Sequence, residues 1–218
     1  MATIQGQVGP ITTNQSLASG TIATMRLGNM GEQIQSQLHP GLYEATYRRA
    51  FFTASMQAVL ATATIAGLSV STTGAPVIYN PIGSGVNVVL SKVGVGFALQ
   101  PATQVIYGLA TGYNASTAPS GTLTSLTPKS RFVGVGATPL AQVYCSAAIT
   151  LPTVPTVDVV FGTVGQGAIT TSQQGAGGIF EIDGGIVLPP GGYAIIWTHA
   201  IMLASSLIAS YSWEEVPI

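Results

Sequence analysis

The chain has 218 residues, of which 47% are hydrophobic and only 6% are Asp, Glu, Lys or Arg, with a formal net charge of −1; about 25% charged residues is usual for a soluble domain. Six basic residues spread from Arg26 to Arg131 make no clustered face of the kind phosphate backbones require, so nucleic acid is not an expected partner. A single cysteine, Cys145, excludes a disulfide framework or a thiolate zinc site within one chain.

In chain order, Met1 to Pro40 is rich in Gln, Gly, Thr, Ser and Asn and shows no sustained hydrophobic period. It reads as an extended arm, too polar to order by burying itself. Its first residues lack a basic region followed by an apolar one, so no secretory leader is expected. After Pro40-Gly41, the residues Leu42, Tyr43, Tyr47 and Ala50 fall at helical spacing, which predicts a short helix near 42–50. The expected division is an N-terminal arm with that helix over 1–50, acting as a docking segment, and a body over 51–218.

From Phe51 onward the pattern is all-β. Val93, Val95, Phe97 and Leu99 alternate with Lys92, Gly94, Gly96 and Ala98, placing every second side chain on one face. Val143, Cys145, Ala147, Ile149 and Leu151 alternate in the same way, as do Val157, Val159 and Phe161 around Asp158 and Val160. Phe180 and Ile182 alternate with Glu181 and Asp183, and Leu207, Ala209, Tyr211 and Trp213 with Ser206, Ile208, Ser210 and Ser212. Between these runs lie turn signals: Asn80 to Gly85, the loop tips at 117–121 and 173–178, and Pro189-Pro190-Gly191-Gly192. The last fits a type II turn, Pro190 setting φ and Gly191 accepting a positive φ. Strands at roughly ten-residue intervals predict a two-sheet, jelly-roll-like antiparallel β-sandwich of about eight to ten strands. Tyr193 to Trp213 carries no charge over a length that could cross a bilayer, but no Lys or Arg flanks it to set an orientation. Its alternation assigns it to strands, and no membrane partner is expected.

Chemistry is sparse. Glu181 and Asp183, two apart on one strand, could hold calcium or serve a glycosidase; the plainer reading is a solvated strand face, since no third acid lies nearby. His199, in step with Tyr193, Ile195 and Trp197, reads as a core or interface histidine rather than a base. The run Gly162 to Gly167 lacks the Lys-Ser/Thr of a phosphate loop. Asn14 and Asn114 begin glycosylation sequons that matter only in a secreted protein. Cys145 reads as a small buried hydrophobe, and Trp197, Tyr211 and Trp213 as core or interface anchors, with a sugar-stacking platform as the sharper alternative. No catalytic, cofactor-binding or metal-ligating residue is therefore assigned.

Three segments carry a resemblance: Leu38 to Ala45 followed by Phe51-Phe52-Thr53-Ala54; Tyr79 to Leu90; and Leu188 to Tyr193 with the ending Ser212 to Pro217. Together they resemble a group of tailed-bacteriophage virion proteins, over Leu38 to the C-terminus and in order. The resemblance implies a jelly-roll-like structural protein that decorates or cements the head, or belongs to a fibre or spike. Its implied partners are the major capsid protein and copies of itself, a trimer being favoured over a dimer, and its implied location is the surface of the phage particle. Nothing catalytic carries over. Three expectations follow: a head decoration protein docking by residues of about 1–50; a spike domain whose 111–121 loop meets host glycan; and, from a different class, a carbohydrate-active enzyme using Glu181 and Asp183.

Overall fold

The computed structural model describes residues 6–7, 25–26, 41–56, 70–72, 76–99, 101, 104–134, 136–145, 148–165, 177–200 and 206–218. The chain divides into two compact units, Met1–Gly41 and Leu42–Ile218. In the first, β1 (Gly6–Gln7) pairs in parallel with β2 (Met25–Arg26). His39, Asn14 and most of the expected arm lie outside the described residues.

The second unit opens with α1 (Tyr43–Tyr47), shorter than the expected 42–50 and grouped with the body rather than with the arm. It stops after its cap residue Arg48, whose N–H still donates to Glu44 O at 2.9 Å, because Arg49 takes a left-handed φ of 62°. The strands then follow in order: β3 (Phe51–Ser55), β4 (Ser71–Thr72), β5 (Val77–Tyr79), β6 (Val86–Leu99), β7 (Val105–Tyr113), β8 (Ser120–Thr122), β9 (Ser125–Leu126), β10 (Lys129–Ser130), β11 (Gln142–Tyr144), β12 (Ala148–Thr150), β13 (Thr156–Val164), β14 (Gly177–Leu188), β15 (Gly192–Thr198) and β16 (Ser206–Pro217).

A five-stranded sheet runs β10-β3-β16-β6-β14, and a six-stranded sheet runs β13-β7-β15-β5-β11-β9. Every pairing within them is antiparallel. If β3, β5, β6, β7, β13, β14, β15 and β16 are taken as eight successive strands, the first, third, sixth and eighth form one sheet and the second, fourth, fifth and seventh the other, in the jelly-roll order β3-β16-β6-β14 opposite β5-β15-β7-β13. A third sheet, β4-β12-β8, adds a layer that a two-sheet expectation does not contain.

Two cores follow from these layers. Between the large sheets lie Phe52, Ile78, Leu90, Val93, Leu109, Ile196, Tyr211 and Trp213. The other core joins Val77, Tyr79, Tyr193 and Ile195, on the far face of the six-stranded sheet, to Ile149 and Leu151 in and after β12. Alternate residues of β15 thus enter opposite cores, which is why Tyr193 to Trp197 is apolar without interruption. Each such side chain fully removed from water contributes about 1.5–3 kcal/mol. Among the described residues no helix is long and apolar enough to cross a membrane.

The alternations of β6, β13, β14 and β16 appear as expected, and β6 changes parity just before its expected run. Val86, Val88 and Leu90 face the core, and so do Val93, Val95 and Phe97, so the parity changes between Leu90 and Val93. The register shows where: Ser212 faces Lys92 while Trp213 faces Leu90, leaving Ser91 as the extra residue of a bulge. Its hydroxyl is buried with no partner. The expected single strand over Val143–Leu151 is instead two, β11 and β12, in different sheets. Val143 and Cys145 enter the first core, Ile149 and Leu151 the second. Side chains of Leu99 and Ala147, and residues 173–176 of an expected loop tip, lie outside the described set. Gly177 and Gly178 begin β14 rather than ending a loop, and Ser120 and Gly121 of the expected 117–121 tip begin β8, so the loop after β7 is 114–119.

At one end of the sandwich the two sheets are joined by turns. Gly192 N–H donates to Pro189 O at 2.7 Å and Gly191 has φ 92°, the predicted type II turn. Gly191 N–H donates to Asn80 O at 2.7 Å and its own carbonyl accepts from Asn114 N–H at 3.1 Å. A Cβ at Gly191 would lie 2.4 Å from Asn114 O, so only glycine fits. The fully buried Asn80 side chain donates to Val86 O at 2.8 Å and Leu188 O at 2.9 Å, and accepts from Ser84 Oγ at 2.7 Å.

Candidate functional site

The two acids expected as a carboxylate pair both lie on β14 and both are exposed. Glu181 sits opposite Lys92 in the ladder and accepts a hydrogen bond from its ammonium. Asp183 has φ 46° and belongs to the stretch between Glu181 and Ile186 that pairs with nothing on β6. One acid is taken up by a surface ion pair and the other is turned outward by the bulge. Among the described residues no three His, Cys, Asp or Glu converge to hold a metal ion.

His199 corrects the core expectation. β15 ends at Thr198, so the alternation that would bury His199 ends with it, and the imidazole is exposed. The residue extends the edge of the ladder instead: its N–H donates to Ile106 O at 3.0 Å, and its Nδ1 accepts from Ile106 N–H at 2.9 Å. Cys145 is buried and free, and burial pushes its thiol up, away from the reactive thiolate. Gly162 lies within the ladder of β13, at a register irregularity, and not in a phosphate-binding turn.

The three aromatic candidates are split by the layers. Tyr211 and Trp213 are fully buried in the first core, Tyr211 donating to Pro76 O at 2.8 Å, while Trp197 packs against the second core. They form no common platform for a sugar. Asn114 is engaged in its own turn, its side-chain oxygen accepting from Ser116 N–H and Thr117 N–H, each at 2.9 Å.

Three features escaped the sequence reading. Glu215, near the end of β16, is a buried carboxylate. Its Oε1 accepts from Leu140 N–H at 3.0 Å, Ala141 N–H at 2.9 Å and Trp213 Nε1–H at 3.2 Å, tying the 139–141 segment to β16. Second, four of the six basic residues meet at one corner. Lys129 pairs with Thr53, Arg131 N–H donates to Phe51 O at 2.9 Å, and Arg48 and Arg49 precede β3 directly. Aromatic rings share the corner: Tyr43 stacks on Tyr47 at 5.9 Å, Tyr47 meets Phe132 edge-on at 6.2 Å, and the Arg49 guanidinium lies 6.0 Å from the Phe132 ring centre. Third, Gly94 and Gly96, opposite the core-facing valines of β6, floor an open trough of about 500 Å³ on the outer face of the five-stranded sheet. Its sides are Gly177, Ile179, Ile208 and Ser210. Only the glycine alternation signalled any of these in the sequence. A separate groove of about 420 Å³ lies between β9, β11 and the 137–139 segment, with Leu126, Pro128, Gln142 and Tyr144 in its walls.

No protein-family model matches this chain, and no curated protein matches it. The likeness to phage virion proteins rests on the three quoted segments alone. What the geometry offers is surface for contact, and no assembled set of reacting groups among the described residues.

Proposed function

We propose that this protein is a non-enzymatic structural subunit of a tailed-phage virion, made in the host cytoplasm and carried on the particle surface, where it decorates or cements the capsid. Its partners are the major capsid protein and other copies of itself. The observation that carries the reading is the outer surface of the sandwich. It combines very little charge with exposed large apolar residues: Val133 is 90% exposed, Ile179 73%, Tyr47 61% and Val160 59%. Water disfavours such a surface, and contact with neighbours removes the cost. On a symmetric shell, many modest contacts of this kind add up to durable attachment. In this reading the segment before the sandwich supplies the dock.

A spike or fibre role draws support from the exposed Tyr113 beside the stapled 114–119 loop, an aromatic surface that could stack on host glycan. Quantitative mass spectrometry of purified particles separates the two. Hundreds of copies per virion support decoration and a handful supports a spike, whereas absence from particles rejects both. Deleting residues 1–37 is expected to leave a folded sandwich that no longer binds shells; full decoration by the truncated chain would remove the docking role of that segment.

A further inference from the structure

The five-stranded sheet carries opposite charge on its two edges. At the β10 edge stand Lys129 and Arg131, with Arg48 and Arg49 beside them. At the other edge is β14, with Glu181 and Asp183, and next to it β13 with Asp158. β13 and β14 are held on one side of the sandwich by the stacked rings of Phe161 and Phe180, 4.0 Å apart. Lys92 offsets Glu181, whereas Asp158 is exposed and accepts a hydrogen bond from the neutral Thr111 hydroxyl. At the basic edge Glu44 pairs with Arg48, and Glu214 lies on the neighbouring strand. Acids interleaved among four bases suit discrete charge pairs better than a polyphosphate track.

Shape follows the same polarity. The basic corner projects the stacked Tyr43 and Tyr47 and the exposed Val133. The acidic side is hollowed by the glycine trough, whose rim residue Ile179 pairs with Gly94 only two positions from Glu181. A projecting aromatic cluster flanked by bases lies at one end of the sheet, and an apolar hollow flanked by acids at the other.

We propose that copies of this chain associate head to tail, the α1–β10 corner of one seating its tyrosines in the β14–β6–β16 trough of the next. Each surface meets its complement only on another copy, because a symmetric contact of either surface with itself would oppose like charges. A repeated head-to-tail contact closes into a ring where its rotation divides a full turn, and a trimer is the smallest such ring. Backbone pairing between copies is discouraged at both acidic-side edges, by the register irregularities of β13 and by the left-handed Asp183 and Gly184 of β14. The joint is therefore made by side chains. This inference rests on the self-association in the reading above and is independent of the capsid.

The test is sedimentation velocity of the full chain over a range of concentrations and salt. The wild type is expected to form a discrete oligomer that loosens as salt rises. Gly96→Val should fill the trough without disturbing the fold, since the nearest atom to a Cβ there is Ile208 O at 3.9 Å. Gly96→Val, Tyr47→Ala, the pair Arg49→Glu/Lys129→Glu and the pair Asp158→Lys/Asp183→Lys should each raise the subunit dissociation constant by about tenfold or more. Carrying both charge-reversed pairs in one chain should restore association. Circular dichroism checks that each variant is folded, and Tyr47→Ala, on an exposed side chain, serves if a glycine or charge variant is not. An oligomer unchanged in every folded variant overturns this interface while leaving self-association standing. Loss in both single reversals without recovery in the combination also overturns it. A wild type that is monomeric at every concentration overturns both the interface and the self-association.

Discussion

An inner strand of the six-stranded sheet, β15, and the outer strand of the five-stranded sheet, β14, both hold large apolar residues and meet opposite fates. In β15 every residue from Gly192 to Ile196 is buried, because a core lies on each side. In β14 exposed and half-covered residues alternate from Gly177 to Val187. What separates them is the number of covered faces, and the sequence of each follows from it. A third layer over the six-stranded sheet turns an alternating pattern into a continuous apolar run, the same run whose length alone would suit a bilayer.

Breaking that contrast begins with the deepest side chains. Trp213→Ala should cost about 4 kcal/mol in chemical denaturation, through the cavity between the large sheets and the loss of a donor to Glu215. Next, Glu215→Leu should cost about 3 kcal/mol, since it strips the backbone N–H groups of Leu140 and Ala141 of their acceptor in a buried place. Glu215→Gln, which keeps one carbonyl oxygen, should cost distinctly less. Gly191→Ala should cost about 2 kcal/mol, from a positive φ and a clash with Asn114 O. On β14, by contrast, Ile179→Thr should change stability by no more than about 0.5 kcal/mol; an equal loss at Ile179 and in β15 would erase the distinction between the two strands.

A pH series sharpens the comparison. Burial pushes the Tyr211 phenol well above its ordinary value, and those of Tyr107 and Tyr193 rise for the same cause. Above about pH 10 the unfolded phenols lose their protons while the folded ones keep them. The native state then binds more protons than the unfolded one, so stability falls as pH rises through that range. Tyr211→Phe should flatten this alkaline decline, while costing about 1 kcal/mol at neutral pH for the lost bond to Pro76 O.

Strands with one open face were legible in the sequence. Lys92 to Phe97, Thr156 to Phe161 and Leu207 to Trp213 showed their period because only one face of each meets the core, the other carrying polar, small or partly exposed residues. The type II turn at Pro189 to Gly192 was legible because its geometry demands those residue types. Ile149 shares the parity of Val143, yet the two enter different cores; a period of two records sidedness but not which sheet a strand has joined. His199 misled for a related reason, since a strand's period says nothing past its end. The basic corner was illegible because Arg49 and Lys129 are distant in the chain, and only the pairing of β10 with β3 brings them together. Glu215 was hidden by type, a carboxylate being a surface residue unless backbone donors wait for it in the interior.

In the five-stranded sheet, β16 lies between β3 and β6. A ribosome therefore delivers the two flanking strands long before the one that joins them. Until Ser206–Pro217 emerges, each flank presents an open hydrogen-bonding margin and half of an uncovered core. Such a gap is a site for capture by a chaperone or by another nascent copy, and its closure requires contacts between widely separated parts of the chain. Closure of this sheet is thus expected to be slow and to wait on β16, with synthesis arrested before β16 yielding aggregates rather than a smaller folded domain.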